Sequence, residues 1–316
     1  MYLTLLKPRM NWKTRLVLLF ANINKPLTLR RGKEISKLRS DAVKAAKLGS
    51  FLFDKKITVF STQDIKLANF SIRIYRPNDK QHLPVMMYYH GGGFALYGLD
   101  SHDLVCRRLS TMNQCVIVSV DYRLAPEFAF PTAHQDAFDA ICWTIENIKY
   151  HGGDATKLIL AGDSAGGNLA ATMAHKCRDE QIKIAAQILI YPWVDGKLNN
   201  PSIARNGEEY MLTRDTMLWF QEQYTPDPND YCNPLVSPIY QQNCTDLAPA
   251  FILTATFDPL IDDGLFYAQK LKEAGNIVQY CEYKGLIHGF FNLPFLSPES
   301  IKAYDDIALF LKDKIV

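Results

Sequence analysis

Residues Lys157–Gly167 read Lys-Leu-Ile-Leu-Ala-Gly-Asp-Ser-Ala-Gly-Gly, an apolar run closing in Gly-x-Ser-x-Gly, and the small-residue stretch Asn168–Ala174 follows at once. This order constrains the fold more than any other feature of the chain. A strand that turns directly into a helix forces its turn residue, Ser164, into a strained backbone conformation, and only neighbours without bulky side chains let the two arms approach. The hydroxyl is then lifted clear of the sheet. Gly-x-Ser-x-Gly alone is common in glycine-rich turns. A strand before it and a helix after it favour a nucleophile.

The rest of the chain supplies the sheet such a turn needs. Lys56–Thr62 and Asn69–Tyr75 are β-like, and the second alternates apolar and polar residues as a half-exposed antiparallel edge strand does. Val85–Tyr89, Cys115–Val120, Leu158–Ala161, Ala186–Tyr191, Phe251–Ala255 and Val278–Tyr283 are apolar runs of strand length, and helix-like stretches such as Thr132–Lys149 and Asp262–Ala274 separate most of them. Alternation of this kind predicts an α/β fold, a mostly parallel sheet of about eight strands flanked by helices. Between Pro192 and Phe251 the alternation breaks, with a helical centre at Thr213–Tyr224 and the apolar residues Trp193, Tyr210, Met211, Trp219 and Phe220. A connection that long reads as a lid over the strand C-terminal ends. The expected organisation is an N-terminal helical cap segment (1–50) and a catalytic domain (51–316) carrying a cap insertion (193–240).

A serine hydroxyl needs a base, and the base needs a carboxylate to orient it. His288 sits in a glycine-flanked loop just after the last expected strand, where it reaches back over Ser164. His82, His102, His134, His151 and His175 occupy polar or helical contexts and read as ordinary surface or core histidines. Asp258 follows the strand Phe251–Ala255, and Pro259 holds it at the strand end; Asp262 and Asp263 read instead as the first turn of a helix, where acids favour the dipole. The order Ser164, Asp258, His288 is that of an α/β-hydrolase. His90-Gly91-Gly92-Gly93 follows the strand Val85–Tyr89, where glycines let backbone N–H groups face a substrate oxygen alongside the N–H of Ala165. It lacks the Lys-Ser/Thr of a phosphate-cradling loop and the spacing of a dinucleotide fingerprint. His90 is placed to brace this loop. Arg123 and Glu127 are expected to form a structural ion pair, and Asp163 to be structural.

His90–Gly93, Asp121–Glu127, Phe130-Pro131, Gly162–Gly167, Asp258–Leu260 and His288–Phe290 together resemble the hormone-sensitive-lipase-like family of α/β-hydrolases, with the bacterial acetyl esterases nearest. The resemblance spans roughly residues 55–315. It implies a serine carboxylesterase acting on short-chain acyl esters through an acyl-enzyme, with Ser164, Asp258 and His288 as triad. It also implies Gly91, Gly92 and Ala165 as oxyanion donors. Phe94, Leu96, Tyr97, Trp193 and Met211 are candidates for the pocket wall. Amide or lactone hydrolysis would use the same constellation, and a hydrolase-fold binding or regulatory protein is the alternative outside enzymes. No cofactor, metal or nucleic-acid partner is expected, since no His/carboxylate pair has ligand spacing.

Charge singles out the N-terminus. Residues 1–50 hold twelve Lys/Arg against two acids, a formal +10, which leaves 23 Lys/Arg against 31 acids elsewhere, or −8. Such an arm suits contact with the acidic body, an anionic lipid surface or a protein partner, or simply a solvated face. Leu16–Ala21 falls well short of the roughly 20 apolar residues that span a bilayer and lacks a cleavage site, so an amphipathic helix is expected with Trp12, Leu16, Leu19, Phe20 and Ile23 near one face. The seven cysteines are odd in number, without C-x-x-C, and most lie in apolar segments. They read as thiols of a reducing, cytoplasmic compartment.

Overall fold

The computed structural model describes residues 10–23, 35–53 and 57–315. Its centre is an eight-stranded sheet built from β1 (Ser61–Lys66), β2 (Ser71–Arg76), β3 (Leu83–Tyr89), β4 (Val116–Asp121), β5 (Gly153–Asp163), β6 (Ala186–Ile190), β7 (Ala250–Phe257) and β8 (Val278–Ile287). Their spatial order is β1-β2-β4-β3-β5-β6-β7-β8; β2 runs antiparallel to both β1 and β4, and the pairings from β4 to β8 are parallel. The helices are α1 (Trp12–Ile23), α2 (Ile35–Phe53), α3 (Asp103–Asn113), α4 (Thr132–Asn147), α5 (Ala165–Asp179), α6 (Pro201–Asn206), α7 (Arg214–Tyr224), α8 (Ile261–Glu273) and α9 (Pro298–Leu311).

Strand alternation divides the core. Val85, Met87 and Tyr89 of β3 face α4, α5 and α8, whereas Met86 and Tyr88 face α3 and α9. Both faces are covered, which is why the central strands read as unbroken apolar runs. Each large side chain so buried contributes roughly 1.5–3 kcal/mol. Two helices start at side-chain caps: Thr213 caps α7 by accepting from Thr216 N, and Ser297 caps α9 by accepting from Ser300 N.

The first strand lies later than the sequence pattern suggests. β1 is the polar run Ser61–Lys66, not Lys56–Thr62, and within that range Lys56 is outside the described residues. As an edge strand β1 needs a partner more than an apolar face, and Asp64 finds one in Arg73 of β2, at 2.5 Å. In the described part of the segment before it, Phe60 N donates to Arg76 O.

The N-terminal helices dock at separate places. Leu38 of α2 joins the α4/α5 face, while Arg39 donates to Ala95 O and Ala125 O and pairs with Glu127 at 2.6 Å. Helix α1 buries Thr14 and Leu18, with Leu18 among the α3/α9-side residues. Asn11 fixes it by donating to Leu296 O. The helix forms as expected, and the face that carries Trp12, Leu16 and Leu19 is exposed. The side chains of Phe20 and Ile23 lie outside the described set.

Candidate active site

Ser164 joins β5 to α5 with φ 55° and ψ −116°, a conformation that L-residues rarely adopt. The close packing around it shows why its neighbours are glycines. A Cβ on Gly162 would sit 2.2 Å from Gly166 O, and one on Gly166 would sit 1.9 Å from Tyr89 O. Strand, turn and helix are therefore pressed together, and the hydroxyl stands at the C-terminal edge of the parallel strands.

His288 leaves the end of β8 and returns over this edge. Its Nε2 lies 3.1 Å from Ser164 Oγ and its Nδ1 2.8 Å from Asp258 Oδ2. Asp258 is fully buried, one residue past β7, and its other oxygen accepts from Leu260 N at 2.8 Å. Asn206 of α6 donates to Asp258 O and Thr256 O, tying the insertion to the carboxylate's backbone. The ring of Tyr191 packs against the imidazole at 4.6 Å. An Nδ1–H held by a carboxylate leaves the Nε2 lone pair aimed at the serine proton, which is the arrangement of a nucleophile–base–carboxylate relay.

The neighbouring acids have other work. Asp262 accepts from Ser202 N, and Asp263 accepts from Val194 N, Asp195 N and Asn200 Nδ2, so both pin the start of the insertion onto α8. Arg123 and Glu127 are ion-paired, but not with each other. Arg123 binds Asp136 of α4 at 2.7 Å, and Glu127 binds Arg39 of α2. The two side chains leave the turn for different elements, so each stitches the loop to a different helix.

The glycine loop departs from expectation at one position. Gly91 N donates to Asp163 Oδ1 at 2.9 Å, so this N–H is spent inside the protein and does not face a substrate. Gly92 and Gly93 adopt φ 114° and 58°, and no protein acceptor is recorded for their N–H groups or for that of Ala165 among the described residues. Ala165 is the first residue of α5, where a helix leaves its N–H groups unpaired. His90 braces the loop as expected: Nδ1 donates to Gly91 O, the ring stacks on Tyr122 at 4.3 Å, and Tyr122 Oη donates to His90 O.

Asp163 is more than a neighbour of the nucleophile. Its buried carboxylate accepts from Gly91 N, from Tyr88 Oη at 2.8 Å and from Asn292 Nδ2 at 3.1 Å, and His102 Nε2 lies 3.3 Å away. Burial pushes this carboxyl up, but the nearby His102 and the hydrogen bonds it receives outweigh that and hold it at about 2. One ionised group thus ties the glycine loop to the segment that follows His288.

The expected pocket residues meet different fates. Phe94 is buried and stacks on Tyr224 at 3.7 Å, and Leu96 is buried with its N–H on Gly92 O. Tyr97 is half-buried with its ring against Gly92. Trp193 is buried, with Nε1 on Asp195 O and its backbone N–H on Ser164 O. Met211 is exposed at the rim beside Gly289. The residue missing from that set is Phe220 of α7. A Cβ on Gly93 would fall 2.2 Å from its ring, so Phe220 lies directly on the glycine loop. Helical periodicity places Phe220 on an apolar face, but nothing in the sequence says which surface that face covers. Asn292 and His102 escaped for the same reason: only the fold brings them to Asp163.

Comparison with known proteins agrees with this geometry. A family model described as alpha/beta hydrolase fold matches residues 86–292. Ethyl acetate hydrolase of Pseudomonas putida is 38% identical over 235 residues, 72% of this chain and 74% of that protein. Carboxylesterase NlhH of Mycobacterium tuberculosis is 39% identical over 242 residues, 75% of this chain and 76% of that protein. A hyperthermophilic esterase from Pyrobaculum calidifontis superposes with a TM-score of 0.90 at 38% identity, covering 96% of this chain and 98% of its own. With the strand order, the serine turn and the relay in place, the chain belongs to the hormone-sensitive-lipase-like family of α/β-hydrolases.

Proposed function

We propose that this protein is a serine carboxylesterase that hydrolyses short-chain acyl esters through a covalent acyl-enzyme. The observation that carries it is the unbroken relay from Ser164 Oγ through His288 to buried Asp258, at 3.1 Å and 2.8 Å. His288 Nε2 takes the serine proton as Oγ attacks the ester carbonyl. The oxyanion rests on the N–H groups of Gly92, Gly93 and Ala165, each such donor typically contributing about 3–4 kcal/mol to the transition state. Imidazolium returns the proton to the departing alcohol, and water deprotonated by the same ring then releases the acid. Asp258 holds the tautomer and stabilises the imidazolium.

Support for a short acyl group comes from Phe220 against Gly93, from the Phe94–Tyr224 stack, and from a relative named for ethyl acetate. Helix α2 and residues 193–240 act as the cap, while α1 packs away from the site: α2 holds the loop beside the oxyanion glycines, and α7 covers it. A cytoplasmic location is supported by seven cysteines that are all unpaired. Steady-state rates on p-nitrophenyl acetate, butyrate, octanoate and decanoate, with an anilide and a lactone alongside, test the reading. Acetate or butyrate is expected to lead in kcat/KM, with an initial burst, and Ser164→Ala to abolish turnover. Undiminished Ser164→Ala activity overturns the mechanism. A faster decanoate, anilide or lactone overturns the substrate class.

A further inference from the structure

We infer that α1 is a docking surface for anionic phospholipid bilayers. Its exposed residues fall into a pattern. Trp12, Leu16 and Leu19 are 70%, 44% and 56% exposed, whereas Thr14 and Leu18 are the buried contacts. At about 100° per residue, the three exposed apolar residues share an arc of roughly 60°, and Thr14 and Leu18 lie on the opposite side. Lys13 and Arg15, both exposed, flank the arc on either edge. The helix is thus attached by one face and presents a Trp/Leu stripe bordered by cations on the other.

Charge identifies the occupant. The first 33 residues hold eight Lys/Arg and no acid, and Glu34 is the first carboxylate in the chain. A second copy would bring the same cations against these, and like charges oppose such a contact. A nucleic acid would match the charge but would not bury two leucines beside a tryptophan. An anionic bilayer meets both demands: its headgroups attract the cations, and the boundary with the acyl chains takes up the apolar stripe. At 12 residues, α1 lies on such a surface and does not cross it; among the described residues no helix is long and apolar enough to span. Asn11 and Lys13 anchor this helix to Leu296 O and Phe295 O, eight and seven residues past His288 in sequence order. Docking therefore leaves the enzyme tethered by an element next to the catalytic histidine's loop, at a surface where acyl esters collect.

The test is sedimentation of the full chain with vesicles of phosphatidylcholine alone or with 30% phosphatidylglycerol. Pelleting is expected only with the anionic vesicles, and to fall as salt is raised. Trp12→Ser/Leu16→Ser/Leu19→Ser and Arg15→Glu are each expected to weaken it by more than about fivefold. Turnover of soluble p-nitrophenyl acetate, unchanged in both variants, shows that they are folded. Sedimentation velocity without lipid identifies the rival occupant. Equal pelleting on neutral and anionic vesicles, equal pelleting of the variants, or a dimer that the triple variant dissociates would each overturn the inference.

Discussion

Removing the Asp163 carboxylate separates two roles that the fold makes one residue perform. In Asp163→Ala, Gly91 N, Tyr88 Oη and Asn292 Nδ2 lose their acceptor in a buried place, and His102 Nε2 loses its polar neighbour. An orphaned buried donor costs about 1–3 kcal/mol, and three are left together, partly relieved by local relaxation. The expected loss of stability is therefore about 3–5 kcal/mol. The catalytic effect is distinct. Gly91 is the residue before the proposed oxyanion donors Gly92 and Gly93, and freeing its N–H would let that loop drift from the tetrahedral oxygen. Losing one such donor costs about 10²–10³-fold in kcat. Asp163→Asn keeps an oxygen for Gly91 N and Tyr88 Oη, and Asn292 carries a buried Oδ1 without a partner that can turn to accept from the new amide. This variant should retain kcat within about tenfold. The assay is kcat and KM on p-nitrophenyl butyrate for both variants at a temperature well below their unfolding midpoints. Loss in Asp163→Ala should fall on kcat with KM little changed, because the oxyanion forms only in the transition state. Wild-type kcat in a destabilised Asp163→Ala, or equal losses in the two variants, would refute the positioning role.

Other consequences can be measured directly. Phe220→Ala opens the space against Gly93; decanoate should gain on butyrate in kcat/KM, at a stability cost of about 3 kcal/mol, and an unchanged chain-length profile would show that the ring does not bound the acyl site. Burial pushes His90 down to about 3, and His134 and His175 down to about 4, so all three stay neutral in the native state near neutral pH. Their folded values lie below the unfolded one, so the unfolded chain takes up protons first. The stability they contribute is full above about pH 6.5 and is lost as pH falls toward 4, at up to about 1.4 kcal/mol per unit for each. Urea unfolding at pH 7.5, 6 and 5 checks this, and a flat free energy across that range would contradict it.

Much of the candidate site was legible because its chemistry is local: Ser164, His288 and Asp258 come together in the order their motifs suggest. Ser164 is announced by the glycines its turn requires, Asp258 by the proline behind it, and His288 by its flanking glycines after a strand. Each signal sits within a few residues of the group it marks. The central strands were equally plain, since burial on both faces leaves no room for polar residues. β1 was misplaced because an edge strand is specified by its partner: the Asp64–Arg73 pair decides the register, and apolarity does not. The same reason hid Arg123 from Asp136 and Glu127 from Arg39.

The error at Gly91 shows where local reading stops. All three glycines of the loop satisfy the chemical demand for an unobstructed N–H, and sequence alone ranks them equally. What separates them is Asp163, 72 positions away, which claims the first N–H and leaves the next two as the proposed donors. Burying a carboxylate beside the nucleophile would be costly without partners. Here the partners are the oxyanion loop and the segment after His288, so the interactions that compensate its burial also set the distance between the acid-binding and base-bearing halves of the site. Phe220 repeats the logic from the cap side. Its sequence context marks a helix, and only the fold shows that its ring lies against Gly93. The Ser164–His288–Asp258 relay is thus written in motifs, whereas the placement of the glycine loop depends on contacts between segments far apart in the chain.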